Sequence, residues 1–273
     1  MTDSTLIHPA LRLRLPRRLW ILLPLLVLAT LFFYPLALIV KQAFTDDQGL
    51  FSAAALQQVF ESRRFVGALL NTLQIALLAT LGCLVLGSRL IARVIDTFIA
   101  MPTFLITLAF TFIYGSAGLL NGTLMAAFGF TLPPVDFLYS IWGVILAEIT
   151  VFTPLVMRPL MAALSQIDRS QLEAASILGA RPGRVVRQVI LPAALPALLA
   201  GGSLCLLLTT NEFGIVLFIG AKGVTTLPMM VYSKAILESD YAVACTIAVV
   251  NIALSLGLFS LYRYAAARAG LRN

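Results

Sequence analysis

Six apolar stretches of about twenty residues each constrain the fold of this 273-residue chain more than any other feature. A helix needs about 20 apolar residues to cross the ~30 Å hydrocarbon core of a bilayer. With 60% hydrophobic and only 11% charged residues, the composition lies outside the range of soluble domains. The sequence therefore predicts an all-α polytopic membrane protein with six transmembrane helices, over residues 20–40, 65–87, 97–114, 139–161, 193–213 and 242–262.

The basic residues predict how these helices are oriented, because Lys and Arg are retained on the cytoplasmic side. Fourteen lie in the N-terminal tail, the even-numbered loops and the C-terminal tail. The opposite side carries five, namely Lys41, Arg63, Arg64, Lys222 and Lys234. Both termini are thus predicted to be cytoplasmic. We divide the chain into 1–64, comprising the tail, the first helix and an outer loop, and 65–273, a core of five helices.

Two segments needed separate interpretation. The first apolar stretch follows four arginines, as in a signal peptide, but no small-residue cleavage site precedes Lys41, so we expect an uncleaved helix. Segment 115–138 is interrupted by glycines and by Pro133-Pro134. Such a segment is too broken for a seventh membrane helix, and we expect a surface or re-entrant segment.

Several classes of function are excluded by what the sequence lacks. The net charge of +7 forms no continuous basic stripe, so nucleic acid is not an expected partner. His8 is the only histidine, and Cys83, Cys205 and Cys245 are far apart, so neither a metal site nor a cofactor is predicted. No catalytic motif and no phosphate-binding G-x-x-x-x-G-K-[ST] loop occurs, so no catalytic residues are proposed.

The longest predicted cytoplasmic loop, 165–192, has strong local signals. Asp168 can cap a helix whose third residue is Gln171, and Gly179 supplies the left-handed position that commonly ends one. Pro182 suits the first turn of a second helix. The first helix carries Ala174 and Ala175, whose small side chains would let another protein approach its backbone closely. The loop therefore has the features of a docking element.

The spacing in this loop resembles the EAA loop of permease subunits in binding-protein-dependent ABC importers. Glu173-Ala174-Ala175 is followed after three residues by Gly179 and after nine more by Val189, with Leu191-Pro192 beyond. Val189 replaces the usual isoleucine of the family. Asn71-Thr72-Leu73 and Thr226-Leu227-Pro228 are similar to family positions as well, so the resemblance covers about 65 to the C-terminus.

The resemblance implies a location in the bacterial inner membrane and a set of partners. The loop would couple to a dimer of cytoplasmic ATP-binding subunits, which would hydrolyse ATP because this chain has no phosphate-binding loop. A periplasmic solute-binding protein would deliver the solute, and a second permease subunit, identical or homologous, would complete the pathway. The expected coupling residues are Glu173, Ala174, Ala175, Gly179, Arg181 and Arg184. Contact with membrane lipid phosphates explains the arginines equally well.

Polar residues in or next to the membrane helices are candidates for lining the translocation pathway. They are Asn71, Glu148, Thr210, Asn211 and Glu212. Hydrogen bonding between helices is the alternative explanation for Glu148, Thr210, Asn211 and Glu212, because membrane helices use polar side chains in this way.

The solute is less constrained by the sequence than the mechanism is. Residues 209–241 look most like permeases assigned to 2-aminoethylphosphonate uptake, but sulfate, iron, thiamine and polyamine permeases share much of the pattern. An ion-coupled secondary transporter would be expected to show inverted repeats or intramembrane charge relays, and no convincing repeat is present. A membrane enzyme or scaffold has no specific support.

Overall fold

The computed structural model describes residues 24–45, 51–85 and 102–270. These residues form helices and no named β-strand. The helices are α1 Pro24–Ala43, α2 Ala54–Glu61, α3 Arg63–Val85, α4 Thr103–Tyr114, α5 Leu119–Phe128, α6 Ile141–Ser165, α7 Arg169–Ile177, α8 Pro182–Thr210, α9 Gly214–Ile219, α10 Leu227–Leu237 and α11 Tyr241–Gly270.

Six candidate membrane-spanning helices are present among the described residues, which confirms the predicted all-α membrane fold. They are α1, α3, α6, α8, α11 and one span formed by α4 and α5 in succession. Parts of the predicted first, second and third helices, at 20–23, 86–87 and 97–101, lie outside the described residues. The N-terminal arginines, His8, Arg89 and Arg93 lie outside them as well.

The third candidate span is longer than the sequence predicted. It extends to Phe128 and is interrupted at 115–118 between α4 and α5. Residues 115–138, expected to be a surface or re-entrant segment, thus begin with part of a candidate span. Asn121 holds the irregular remainder in place, because its amide Nδ2 donates to the Val135 carbonyl at 2.7 Å and its Oδ1 accepts from the Val135 N–H at 3.0 Å.

The fifth candidate span also differs from its predicted bounds. It begins at Pro182 rather than 193, so the second helix of the predicted loop is continuous with the membrane helix. Residues Val186–Ile190 form a π-helical turn, in which the Leu191 N–H bonds to the Val186 carbonyl. Pro192 follows directly and lacks an N–H donor, so the wider turn replaces a regular α-helical register at this point.

The interior is built where α3, α6 and α8 pack against one another. The buried face of α3 consists mainly of small residues with three- and four-residue spacing, including Ala68, Thr72, Ala76, Ala79 and Cys83. Gly201 of α8 faces α6, and a Cβ added there would lie 2.9 Å from the Val156 Cα. Small residues of this kind allow membrane helices to approach closely.

A second cluster of apolar residues packs α10 and α11 against α2 and the beginning of α3. It includes Val59, Phe65, Leu227, Val243 and Ile247, all buried. α11 packs against α1, α2, α8 and α10. By contrast, α1 has no buried residue in its most apolar window, and Leu31 is 75% exposed. This surface suits contact with lipid or another membrane helix.

Candidate coupling loop and polar clusters

The loop begins at a helix with the predicted N-cap. Asp168 has extended backbone dihedrals, and its Oδ1 accepts a hydrogen bond from the Ser170 N–H at 3.0 Å. This bond satisfies one of the amide donors that every helix leaves unpaired at its first turn. The Gln171 N–H bonds to the Asp168 carbonyl at 3.1 Å. The start of α7 therefore has the N-cap that the sequence predicted at Asp168.

The same helix ends at a glycine with the geometry of a Schellman motif. Gly179 has φ of +71°. Its N–H bonds to the Ser176 carbonyl at 3.0 Å, and the Ala180 N–H bonds to the Ala175 carbonyl at 3.0 Å. These two bonds satisfy carbonyls that the helix end would leave unpaired, and the positive φ favours glycine. Pro182 then lies in the first turn of α8, as the sequence predicted.

Most residues of the helix between these caps are exposed. None of the nine residues of α7, all of them described, is buried. Glu173 and Ala174 are exposed, and Ala175 is half-buried. Ile177 and Leu178 are each 86% exposed, a large apolar surface beside the glycine turn. Sequence reasoning missed these two residues, although an apolar pair directly before Gly179 in a polar loop was a usable signal.

The two predicted coupling arginines border this surface. Arg181 is the N-cap of α8, its carbonyl accepts from the Arg184 N–H at 2.8 Å, and both side chains are exposed. The structure thus brings the six predicted coupling residues into one exposed helix–turn–helix. Their role in coupling stays a prediction.

The predicted outer residue Asn71 is part of a contact between distant segments. Its Nδ2 donates to the Thr225 carbonyl at 3.0 Å, and the neighbouring Thr72 Oγ1 accepts from the Leu227 N–H at 2.8 Å. The two motifs that resembled family positions therefore meet, and they fix the N-terminus of α10 on α3. This bond gives Asn71 a structural role; its place in the translocation pathway stays a prediction.

A second polar cluster lies where α8 ends against α11. Asn211 Nδ2 donates to Ser255 Oγ at 3.0 Å, and its Oδ1 accepts from Asn251 Nδ2 at 3.0 Å.

Thr210 is fully buried and donates to the Leu206 carbonyl at 2.6 Å. Glu212 Oε1 accepts from the Ile215 N–H at 2.9 Å, at the start of α9. These bonds join two helices or pair backbone groups near helix ends. A role for these residues in lining the pathway stays a prediction.

Glu148 differs from the residues of both clusters because its side chain forms no hydrogen bond with any described residue. It lies within α6, its side chain is 1% exposed, and neither carboxylate oxygen has a hydrogen-bond partner among the described residues. An unpartnered buried carboxylate is costly, so a structural role alone explains it poorly. Its predicted place in the pathway therefore stays a prediction with physical support.

Comparison with known proteins decides the family. Residues 75–270 match the family described as the binding-protein-dependent transport system inner membrane component. This chain belongs to that family. A permease protein of Salmonella typhimurium, PhnU, provisionally assigned to 2-aminoethylphosphonate transport, is 74% identical over 97% of each chain. The permease resemblance inferred from Glu173 to Pro192 is thereby confirmed.

Other members of the family are more distant. A Helicosporidium permease protein, cysT, provisionally assigned to sulfate transport, is 30% identical over 62% of this chain and 61% of its own. Among solved structures, a bacterial ABC transporter involved in import of the acidic polysaccharide alginate is similar over 92% of this chain and 95% of its own, with a TM-score of 0.77 and 16% identity. This permease is accordingly a multi-pass inner membrane transport component with the fold of ABC importer permeases.

Proposed function

We propose that this permease forms half of the translocation pathway of an ATP-driven importer for 2-aminoethylphosphonate. The single observation that supports the solute is the 74% identity, over 97% of each chain, to a permease provisionally assigned to that compound. The sulfate relative is far less similar, at 30% over part of the chain. A second permease subunit, identical or homologous, supplies the other half of the pathway, and a periplasmic binding protein delivers the solute.

The proposed contact with a cytoplasmic ATP-binding dimer is the surface formed by α7 and the turn at Gly179. A nine-residue helix without a fully buried residue gains little stability from packing, and its caps keep it formed. Ile177 and Leu178 offer apolar area for a partner, and Glu173 offers a carboxylate for a charge-assisted bond. When ATP closes the dimer, the loop moves with it and the membrane helices change between inward- and outward-facing states.

This proposal requires the loop and both termini to be cytoplasmic. The orientation is tested with a membrane-impermeant thiol reagent applied to intact cells. Arg184→Cys should be protected and Arg63→Cys should react. The reverse pattern would refute the orientation.

The function itself is tested on the purified permease complex with its ATPase and binding protein in proteoliposomes. We expect ATP hydrolysis to rise when the binding protein is loaded with 2-aminoethylphosphonate, together with uptake of the compound. A rate of ATP hydrolysis that does not change with the loaded binding protein would refute the importer assignment. A rate that rises with sulfate instead of 2-aminoethylphosphonate would refute only the proposed solute.

The docking surface has its own test. Leu178→Ser should reduce co-purification of the ATPase about tenfold, because burial of a leucine contributes about 1.5–3 kcal/mol. Leu132→Ser is the matched control, since Leu132 is also strongly exposed, at 76%, but lies far from the loop in sequence. Equal recovery of the ATPase with both variants would remove α7 from the interface.

A further inference from the structure

A cavity of 390 Å³ lies where the beginning of α3 meets α10. This is the side predicted to face outward, because Arg64 and Lys234 belong to the five outer basic residues. The wall leaves room for a ligand because it contains three small residues, Gly67 and Ala68 of α3 and Gly223 of the loop before α10. The volume is in the range of small-molecule sites. The cavity is thus large enough for a small solute and is separate from the coupling loop.

Charged groups of both signs line this cavity. They are Arg64, Lys234 and Glu238. Lys234 Nζ lies 2.5 Å from Glu238 Oε2 and 3.9 Å from Asp240 Oδ2. Arg64 forms no ion pair within 4 Å of a described residue, although its positive charge acts on the Glu238 carboxyl from farther away. The hydrogen bond from Lys234 holds the pKa of the Glu238 carboxyl below its usual value, so this carboxylate is ionised at neutral pH.

The ion pair in the cavity is one that a ligand can open. The side chains of Lys234 and Glu238 are 23% and 44% exposed. Exposed pairs of this kind contribute little net stability, because water screens the charges and ordering the side chains costs entropy. A ligand that carries both an anion and an ammonium group could replace each partner, so that every charge stays paired.

We propose that this cavity is an outer binding site for the zwitterionic solute, with its phosphonate on Arg64 and Lys234 and its ammonium group on Glu238. The inference rests on the proposed function, because it takes the solute from there. The planar guanidinium of Arg64 can bind two phosphonate oxygens at once, and the Lys234 ammonium adds a point charge. Neutral polar groups of Asn71 and Ser233 complete the wall.

The charge pattern also defines selectivity. A solute with only the anionic group, such as ethylphosphonate, leaves Glu238 without a new partner and places a negative charge near this carboxylate. Replacement of Glu238 by a neutral amide removes that penalty along with the ammonium contact. The site should therefore prefer the zwitterion, and Glu238→Gln should reduce the preference.

The test measures equilibrium binding of radiolabelled 2-aminoethylphosphonate to the assembled transporter in nanodiscs, without the binding protein. Arg64→Gln should weaken binding about tenfold, the equivalent of one charge-assisted bond. Arg63→Gln is the matched control, because Arg63 is adjacent and exposed but does not line the cavity; binding should stay within about twofold. Glu238→Gln should weaken binding of the zwitterion but not competition by ethylphosphonate.

Each other outcome contradicts a specific claim. Equal binding by Arg64→Gln and Arg63→Gln, with normal uptake, overturns the cavity site and leaves the proposed function intact. If Arg64→Gln changes only the stimulation of ATP hydrolysis by the binding protein, the cavity is a protein-docking surface and the proposal is wrong. Failure of the wild-type system to import 2-aminoethylphosphonate refutes the proposed solute itself.

Discussion

Gly201 and Gly179 are the same residue type in two regions with opposite surroundings. In the interior, a Cβ at Gly201 would lie 2.9 Å from the Val156 Cα and 3.3 Å from its carbonyl oxygen. In the candidate coupling loop, a Cβ at Gly179 would meet no described atom within 4 Å, and the constraint is the φ of +71°. Gly201 serves contact between two helices of this chain, whereas Gly179 serves only the shape of an exposed loop.

The same division holds for acidic residues. Glu148 is buried in α6 without a described hydrogen-bond partner, and Glu173 is exposed on α7. The glycine at the α6–α8 contact is thus constrained by this chain's own packing, whereas features of the loop leave their side chains available to another protein. Enlarging the side chain at this contact should damage folding, and changes in the loop should damage the proposed coupling while folding is retained.

Gly201→Leu should have the largest effect. The added side chain must displace the α6 backbone, and overpacking of this kind destabilises by about 1–3 kcal/mol or more. We expect loss of most folded protein, measured by size-exclusion chromatography and thermal unfolding in detergent. Gly257→Leu is the matched control, because Gly257 lies in α11 and has no described atom within 4 Å of an added Cβ. If both variants unfold alike, close approach of α6 and α8 is not what requires glycine.

Gly179→Val should leave folding intact and reduce uptake severely. A β-branched residue at positive φ costs on the order of 1–3 kcal/mol locally, enough to undo the helix end and move Ile177 and Leu178. We expect ATP hydrolysis that no longer drives transport, measured in proteoliposomes. Gly179→Asn should keep most uptake, because asparagine tolerates the left-handed conformation. Normal uptake by the valine variant would contradict the role of this turn.

Short-range sequence signals explain why most of the loop structure could be predicted. Asp168, Gly179 and Pro182 act through hydrogen bonds and dihedral angles within a few residues, and each has its predicted place in a cap or turn. The bond between Asn71 and Thr225 joins residues 154 positions apart, and no local pattern specifies it. The extension of the third candidate span to Phe128 was likewise missed, because the glycines and Pro133-Pro134 of segment 115–138 indicated a segment too broken to cross a membrane.

Glu173→Lys should weaken association with the ATP-binding subunit by tenfold or more. The change removes the proposed charge-assisted bond, a contribution of about 1.5–3 kcal/mol, and puts a positive charge where that bond would require a basic group on the ATP-binding subunit. Co-purification of the complex measures the effect. Glu173→Gln should have a smaller effect, because it keeps the shape and loses only the charge. Undiminished recovery with the lysine variant would reduce Glu173 to an ordinary exposed residue.

The smallest expected effect concerns the polar contact between α8 and α11. A double-mutant cycle with Asn211→Ala and Ser255→Ala should give a coupling energy of about 0.6 kcal/mol, the average for hydrogen bonds between membrane helices. Asn211→Ala with Ser203→Ala is the control cycle, because Ser203 Oγ bonds within its own helix, to the Ala200 carbonyl at 2.7 Å, and its coupling should be near zero. Thermal unfolding in detergent measures both. Equal coupling in the two cycles would mean that Asn211 does not stabilise the interior through Ser255, and it would strengthen the case for Asn211 as a pathway residue.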